Sequence, residues 1–396
     1  MKILHITTYY TPSFGYQENF LLCHQQALGN PVKLIASDRF PPFKNYESIM
    51  KNSLGERIFG PKKYYDKGIE IICLKPAFEL EKYFIVGFNK KEVMQEIINF
   101  NPNVIHIHAH NNPAVLQAIF YKKKYNKNVK LFVDCHNDIS LKGIKGVKEK
   151  AIYNFFTKKI YKFFIYKNIE KYLPVTPDSA NYLVKSLNIE HRKIVLLPLG
   201  SDSDIFFKND AKRKEIRNML GFQEDDIIII NTGKITKYKY KNNETMIKSF
   251  IEINKKYSKA KMLLVGSIDD EIKEYINILI EDRKSIIFEN LKKNNELSGY
   301  YSAADIAIWT SPSNSIQDAM ACELPIVIKN LENIKHLASN KNGYLCNNDD
   351  DFFDALSELV LNKEKRLNMG SCSREVIINK YSWLKIAEES IKIYLQ

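Results

Sequence analysis

Two doubly wound α/β lobes are the architecture this sequence predicts, and three observations predict it. The chain has 396 residues, beyond the ~250 to 300 at which a single core usually stops growing. Short apolar strand-like runs alternate with helix-like ones throughout. Near the middle a polar, turn-rich stretch, Pro198-Leu-Gly-Ser-Asp-Ser-Asp204, breaks the alternation where a domain boundary is expected.

The first series runs through a strand at Ile3 to Thr7, a helix over 16 to 28, and strands at Val32 to Ala36 and Ile69 to Cys73. A helix from Lys91 to Phe100, a strand at Val104 to Ile107, a helix over 114 to 124 and strands at Leu131 to Val133, Tyr172 to Val175 and Ile194 to Leu197 follow. The second series places strands at Ile227 to Asn231, Met262 to Val265, Ile286 to Phe288, Ile306 to Trp309 and Ile326 to Ile328. Helices over 349 to 361, 364 to 379 and 383 to 395 end the chain, the last capped by Ser382 with Leu384, Ala387, Ile391 and Tyr394 at helical spacing. Repeated strand and helix predicts parallel sheets covered on both faces. The expected division is a first lobe over 1–199, joined by the helix 383–396, and a second over 200–382. Sheets of this type bind ligands beyond the carboxyl ends of their strands, so the expected site is a cleft between the lobes.

Apolar residues at 45 % and charged residues at 27 % are ordinary globular values. The six cysteines, at 23, 73, 135, 322, 346 and 372, form no Cys-x-x-Cys pair and follow no secretory leader, which predicts a reducing cytosol. No run reaches the ~18 apolar residues of a membrane span, so a cytoplasmic or membrane-peripheral protein is expected. The net charge of +13 draws the chain toward phosphates, although a Lys-rich, Ile-rich and Asn-rich composition raises charge without any partner. Zinc-finger, RNP and basic-zipper patterns are all missing, and no nucleic-acid partner is expected.

The segment Thr310-Ser-Pro-Ser-Asn-Ser-Ile-Gln-Asp-Ala-Met-Ala-Cys-Glu-Leu-Pro325 reads as strand end, loop, short helix and turn. Ser315 and Asp318 make a Ser-x-x-Asp pattern, with Ser315 placed to cap the helix and Asp318 in its first turn. Unpaired amides at such a helix start favour a phosphate, and a diphosphate would suit it. Taken alone the pattern is more often a plain capping box. Its place at a strand's carboxyl end favours the ligand reading.

Here the chain resembles the retaining glycosyltransferases of family 4, of the two-lobed GT-B type, whose usual Glu-Ala-Met-Ala-Cys-Gly-x-Pro-Val stands as Asp318-Ala-Met-Ala-Cys-Glu-Leu-Pro-Ile326. The resemblance implies that Asp318 binds the ribose hydroxyls of a donor nucleotide and that the amides of Asn314, Ser315 and Ile316 meet its phosphates. In Thr11-Pro-Ser-Phe-Gly-Tyr-Gln-Glu18, Gly15 occupies the place of the family's close-approach glycine. His136, ending Phe132-Val-Asp-Cys-His-Asn-Asp138, stands where the family has a histidine near the donor sugar. Ile230-Asn-Thr-Gly-Lys-Ile-Thr-Lys-Tyr-Lys-Tyr-Lys241 resembles the family's Gly-Arg-x followed by Lys, so Lys234 takes the first cation's place and Lys239 or Lys241 the second's. His106 and His108 lie on one face of a strand with no carboxylate beside them in sequence, and they are assigned to packing or supporting roles. The resemblance implies no metal and no cofactor beyond a nucleotide sugar, of the UDP class, with a surface-glycan or lipid-linked acceptor.

The sequence departs from the pattern in three places. Thr310 stands where many members carry a first glutamate, Asp318 is one methylene shorter than Glu, and Glu323 replaces a glycine. The loop is Ser-rich and leaves the donor sugar open. Residues 141–171 interleave lysines with aromatics, with Ile152, Phe155, Phe156, Ile160, Phe163 and Phe164 at helical spacing. They read either as a helix on the first sheet or as a surface helix on anionic lipid. A sugar-nucleotide epimerase on the same architecture is the alternative enzyme, and a basic nucleic-acid-binding protein the alternative outside enzymes.

Overall fold

The computed structural model describes residues 1–12, 15–43, 46–139, 164–235, 243–268, 270–280 and 284–396. The chain divides into two compact units, Met1–Pro198 with Ile386–Gln396, and Leu199–Lys385. Each carries its own twisted sheet.

The first unit contains β1 (Ile3–Ile6), β2 (Val32–Ser37), β3 (Lys62–Asp66), β4 (Ile69–Leu74), β5 (Pro76–Leu80), β6 (Ile85–Phe88), β7 (Val104–Ile107), β8 (Lys130–Cys135) and β9 (Lys171–Pro174). Seven of these form one sheet in the order β3-β4-β2-β1-β7-β8-β9, parallel except for β3. The order reverses direction at β1 and β7, which places a topological switch point at their carboxyl ends. β1 and β7 are buried along their whole length, as strands covered on both faces must be. Helices Gln17–Ala27, Lys90–Phe100, Ala114–Lys124 and Pro177–Leu187 supply the cover. The last of these starts where Thr176 accepts a hydrogen bond from the Ser179 amide and Pro177 presets the first turn.

Three local readings are corrected. Ile194 to Leu197 forms only a bridge to β9: Val195 and Leu197 donate to Tyr172 and Pro174, but Pro174 has no N–H to return. β3 and the β5–β6 hairpin were not expected: β3 and β5 are largely exposed and form no apolar run, and the buried β6 is only four residues long and interrupted by Gly87. The terminal helix Trp383–Leu395 keeps Ser382 as its cap, with the Lys385 amide donating to Ser382 Oγ at 3.3 Å. Its buried face, however, is Trp383, Ile386, Ala387, Ser390, Ile393 and Tyr394, while Leu384 is exposed. Gln25 Nε2 donates to Ser390 Oγ at 2.9 Å, and Lys130 Nζ to the Tyr394 carbonyl at 3.1 Å, tying this helix to the first unit.

The second unit is a wholly parallel six-stranded sheet of β10 (Ile227–Ile235), β11 (Ala260–Ile268), β12 (Ile286–Asn290), β13 (Ile306–Trp309), β14 (Ile326–Lys329) and β15 (Gly343–Cys346). Its order is β12-β11-β10-β13-β14-β15. Alternation with period two splits its strands between two cores. Ile228, Ile230, Leu263, Val265, Ala307 and Trp309 face one, and Ile229, Met262, Leu264, Ile306, Ile308 and Val327 face the other. Full burial of each large side chain stabilises the fold by about 1.5 to 3 kcal/mol, so the Ile and Leu runs fix which sequence stretches become strands.

Candidate active site

In the second unit the sheet's switch point lies between β10 and β13, where Lys234 lies near the end of the first of these strands and the loop and short helix holding Asn314, Ser315, Ile316 and Asp318 follow the second. β10 ends in Thr232-Gly-Lys-Ile235, and Gly233 lies in register with Gly266 of β11. Gly233 has φ 126° and Gly266 φ 157°. A Cβ on Gly266 would stand 1.8 Å from the Gly233 carbonyl oxygen, and one on Gly233 would stand 3.9 Å from Ser313 Oγ. The strands therefore approach each other through two glycines, and the end of β10 lies against the loop after β13. Lys234 follows directly and is exposed.

Tyr301 ties this region together from beneath. Its fully buried hydroxyl lies 2.6 Å from Thr232 Oγ1 and donates to the Ser315 carbonyl at 3.3 Å. Trp309 Nε1 donates to the Thr232 carbonyl at 3.0 Å, and Asn231 Nδ2 to the Ile308 carbonyl at 2.7 Å. The short helix Ser315–Ala321 starts differently from the sequence expectation. Asn314 occupies the cap position in αR geometry without a side-chain cap, and Ser315 is the first helical residue. Asp318 completes no capping box. Its Oδ1 instead accepts from Ser201 Oγ at 2.7 Å, so a residue from the start of this unit takes up the carboxylate. The Ser315 amide leans on Ser313 Oγ at 3.3 Å and the Ile316 amide on the Ser313 carbonyl at 3.4 Å, long contacts that a stronger acceptor could replace. Burial raises the Asp318 carboxyl to about 7, against the opposing Ser201 hydrogen bond and with the nearby Asp202 charge adding to the rise.

The far end of this helix explains one departure from the family pattern. The Leu324 amide donates to Ala319 and the Glu323 amide to Met320, the paired bonds of a Schellman ending. That ending requires a left-handed residue, and Glu323 supplies it at φ 61°. Glycine is the usual choice there because it carries no Cβ to clash.

In the first unit His136 extends beyond β8 and its Nε2 lies 2.9 Å from Gln17 Oε1, two residues after Gly15, which has φ 73°. Gly15 and His136 thus both lie beyond the carboxyl ends of their strands, β1 and β8, and Gln17 links the two segments. Beneath them the paired histidines acquire the carboxylate that their sequence neighbourhood lacks. Asp134 of β8 accepts from His108 Nδ1 at 2.6 Å and from the Ala109 amide at 2.7 Å. The chain of bonds continues from His108 Nε2 to His5 Nδ1 at 3.0 Å, and from His5 Nε2 to Gln25 Oε1 at 2.8 Å.

Hydrogen-bond accounting fixes the protons in this chain. Ser390 donates to the Ala387 carbonyl and so accepts from Gln25, which leaves the Gln25 oxygen to accept from His5 Nε2–H. His5 then accepts at Nδ1 from His108 Nε2–H, while His108 Nδ1–H donates to Asp134. His108 carries both protons. Burial alone would lower the His108 pKa, but the charge and hydrogen bond of Asp134, with Glu18, together raise it, whereas burial holds His5 neutral. Burial alone would raise the Asp134 carboxyl, but the neighbouring histidines hold it well below the usual range. Ligand atoms of His106, His108 and Asp134 fall within 4.8 Å of one another. Since His108 and Asp134 are bonded to each other and His106 Nδ1 lies 2.6 Å from the Tyr394 hydroxyl, we read the trio as a buried polar network.

Sequence reading missed Ser201, Tyr301, Gln17 and Asp134. The available signal for Asp134 was alternation, which puts it on the same face as His136, and the same alternation in β7 aligns His106 with His108. Lys239, Lys241 and most of the basic stretch 141–171 lie outside the described residues. Among the described residues no helix is long and apolar enough to cross a membrane.

Residues 21–205 match the family model described as Glycosyltransferase Family 4, and residues 226–362 that described as Glycosyl transferases group 1. The chain is a family 4 glycosyltransferase. It is 24 % identical to spore coat protein SA of Bacillus subtilis over 198 residues, 46 % of this chain and 52 % of that one. With alpha-monoglucosyldiacylglycerol synthase of Acholeplasma laidlawii it shares 22 % identity over 78 % of each chain. The chain thus spans about half the length of the first relative and over three quarters of the second. A glycosyltransferase structure from Rickettsia africae matches with a TM-score of 0.73 at 15 % identity, covering 99 % of this chain and 97 % of that one. Anabaena HepE, in complex with UDP, matches at 0.68 and 12 % identity over 99 % of each. At these identities the likeness is one of fold, the GT-B fold of two Rossmann-like domains.

Proposed function

We propose that this family member transfers a sugar from a nucleotide diphosphate sugar, of the UDP class, to a hydroxyl of a surface-glycan or lipid-linked acceptor, with retention at the anomeric carbon. The observation that carries the reading is Asp318, a partly buried carboxylate held by Ser201 in the first turn of the short helix after β13. In this reading Asp318 binds the ribose hydroxyls, Lys234 with Lys239 or Lys241 neutralises the diphosphate, and the amides of Asn314, Ser315 and Ile316 bind its oxygens. In the first unit Gly15 lets the backbone approach the donor, and His136 donates a hydrogen bond to a sugar hydroxyl. The acceptor attacks the face from which the nucleotide leaves, and the departing phosphate takes the acceptor's proton. The protein contributes positioning and stabilises charge developing on the diphosphate. HepE binds UDP, which favours the same nucleotide here, and the name of the Acholeplasma relative favours a lipid-linked acceptor. A cytoplasmic enzyme whose stretch 141–171 meets anionic lipid fits such an acceptor, and flotation with anionic against neutral vesicles tests that contact.

The test of the reaction is incubation with a panel of UDP-sugars. Slow release of UDP that survives EDTA and is lost in both Lys234→Ala and Asp318→Ala supports transfer. Robust activity in both variants, or an isomerised sugar nucleotide without UDP release, overturns it.

A further inference from the structure

His136 sits at the end of a set of polar contacts whose geometry assigns roles to two residues that the family resemblance leaves without one. Gln17 Oε1 is an acceptor 2.9 Å from His136 Nε2, so the contact requires the proton on Nε2. Asp134 Oδ1 lies 3.7 Å from the same nitrogen. That carboxylate is itself immobile, held by His108 Nδ1 and by the Ala109 amide. His108 is held in turn by the relay through His5 and Gln25 to Ser390 of the terminal helix. No hydrogen bond to His136 Nδ1 occurs among the described residues.

We propose that Gln17 and Asp134 are positioning residues that hold His136 as an imidazolium, with Nε2–H turned toward the protein and Nδ1–H left as the donor for substrate. Gln17 sets the orientation and the tautomer. Asp134 supplies the charge that keeps the second proton on the ring. The groups facing His136 are Asp134 on β8, Asp138 just beyond it, Glu18 on the helix Gln17–Ala27 and the cationic His108 beyond β7. Three acids oppose one cation. Loss of hydration pulls the His136 pKa down, weakly for a side chain that is 44 % exposed, and the carboxylates Asp134, Glu18 and Asp138 together raise it. A neutral imidazole with the proton on Nε2 would offer only an acceptor to the sugar. The imidazolium offers a donor with charge, which strengthens its hydrogen bond to a sugar oxygen. This inference rests on the reading that His136 meets substrate.

The test is the titration of His136 Cε1–H by NMR in the full-length protein, its signal assigned with His136→Gln. In the wild type the midpoint lies above the ordinary histidine value. In Asp134→Asn it falls by about one pH unit, in Gln17→Leu it falls less, and in Gln17→Glu it rises, because each change removes or adds negative charge or an acceptor at the ring. If Asp134→Asn does not fold, the two Gln17 variants carry the test, since Gln17, although buried, is the first residue of its helix and stands outside the His108–His5–Gln25 relay. A midpoint that stays fixed in every folded variant overturns the assignment. The basic limb of the kcat profile is expected to move with the NMR midpoint. If the midpoint moves and the kcat limb does not, the charge assignment stands and the substrate contact of His136 fails.

Discussion

Replacing Asp318 by asparagine is expected to stabilise the free protein above neutral pH while removing the proposed nucleotide site. The carboxyl is raised from 3.8 to about 7, and each unit is worth about 1.4 kcal/mol. A folded state with the higher pKa keeps its proton longer than the unfolded chain does. The contribution of Asp318 is therefore fully present below its unfolded pKa, declines by about 1.4 kcal/mol per pH unit between about pH 4 and 7, and is flat above. The summed cost approaches about 4 kcal/mol, an upper figure because Asp318 retains some accessible surface. Asparagine avoids that ionisation and keeps an oxygen to accept from Ser201.

The measurement is urea unfolding followed by tryptophan fluorescence at about pH 5 and pH 8. Both tryptophans, Trp309 and Trp383, belong to the second unit, so the signal reports the unit that holds the substitution. The variant's advantage over wild type is expected to widen from pH 5 to pH 8 by about 2 to 3 kcal/mol. An advantage that is the same at both pH values, or a variant less stable at pH 8, refutes the argument that Asp318 is held in a site hostile to its charge.

Gly266→Ala places a methyl group 1.8 Å from the Gly233 carbonyl, which only backbone movement can relieve. Its expected cost is about 3 kcal/mol or more, read by the same fluorescence, and UDP affinity should fall with it because Gly233 and Lys234 must shift. Glu323→Gly removes a side chain from a left-handed Schellman position, and the gain in unfolded-state freedom and the loss of a 3.5 Å ion pair with Lys208 offset part of the benefit. The net expectation is a rise in stability of about 0.5 kcal/mol, where an ordinary Glu to Gly change at a helix end lowers it. A measured loss would show that φ is not what makes glycine usual at this place.

The parallel strands were legible because their burial on both faces makes them continuous apolar runs. Ile3–Ile6 and Ile306–Trp309 admit hardly any other reading. β3 and β5 escaped because an exposed strand needs no apolar run, and β6 because it is four residues long with a glycine inside it; Gly87 faces Phe78 across the hairpin, where a Cβ would lie 2.1 Å from the ring. In the candidate site, Asp318 and Lys234 could be read from local motifs at strand ends. Ser201 could not, since it reaches Asp318 across 117 residues. Nor could the pairing of His108 with Asp134, which depends on β7 lying beside β8. Local pattern fixes which residues share a face, and only sheet order decides which faces meet.

The most direct test of the proposed donor site is a calorimetric titration of UDP into the wild type, Asp318→Ala and Lys234→Ala at about pH 8, where the Asp318 carboxylate is charged. Measurable binding by the wild type, with a loss of tenfold or more in each folded variant, is the predicted result. Wild-type affinity retained in both variants would contradict it.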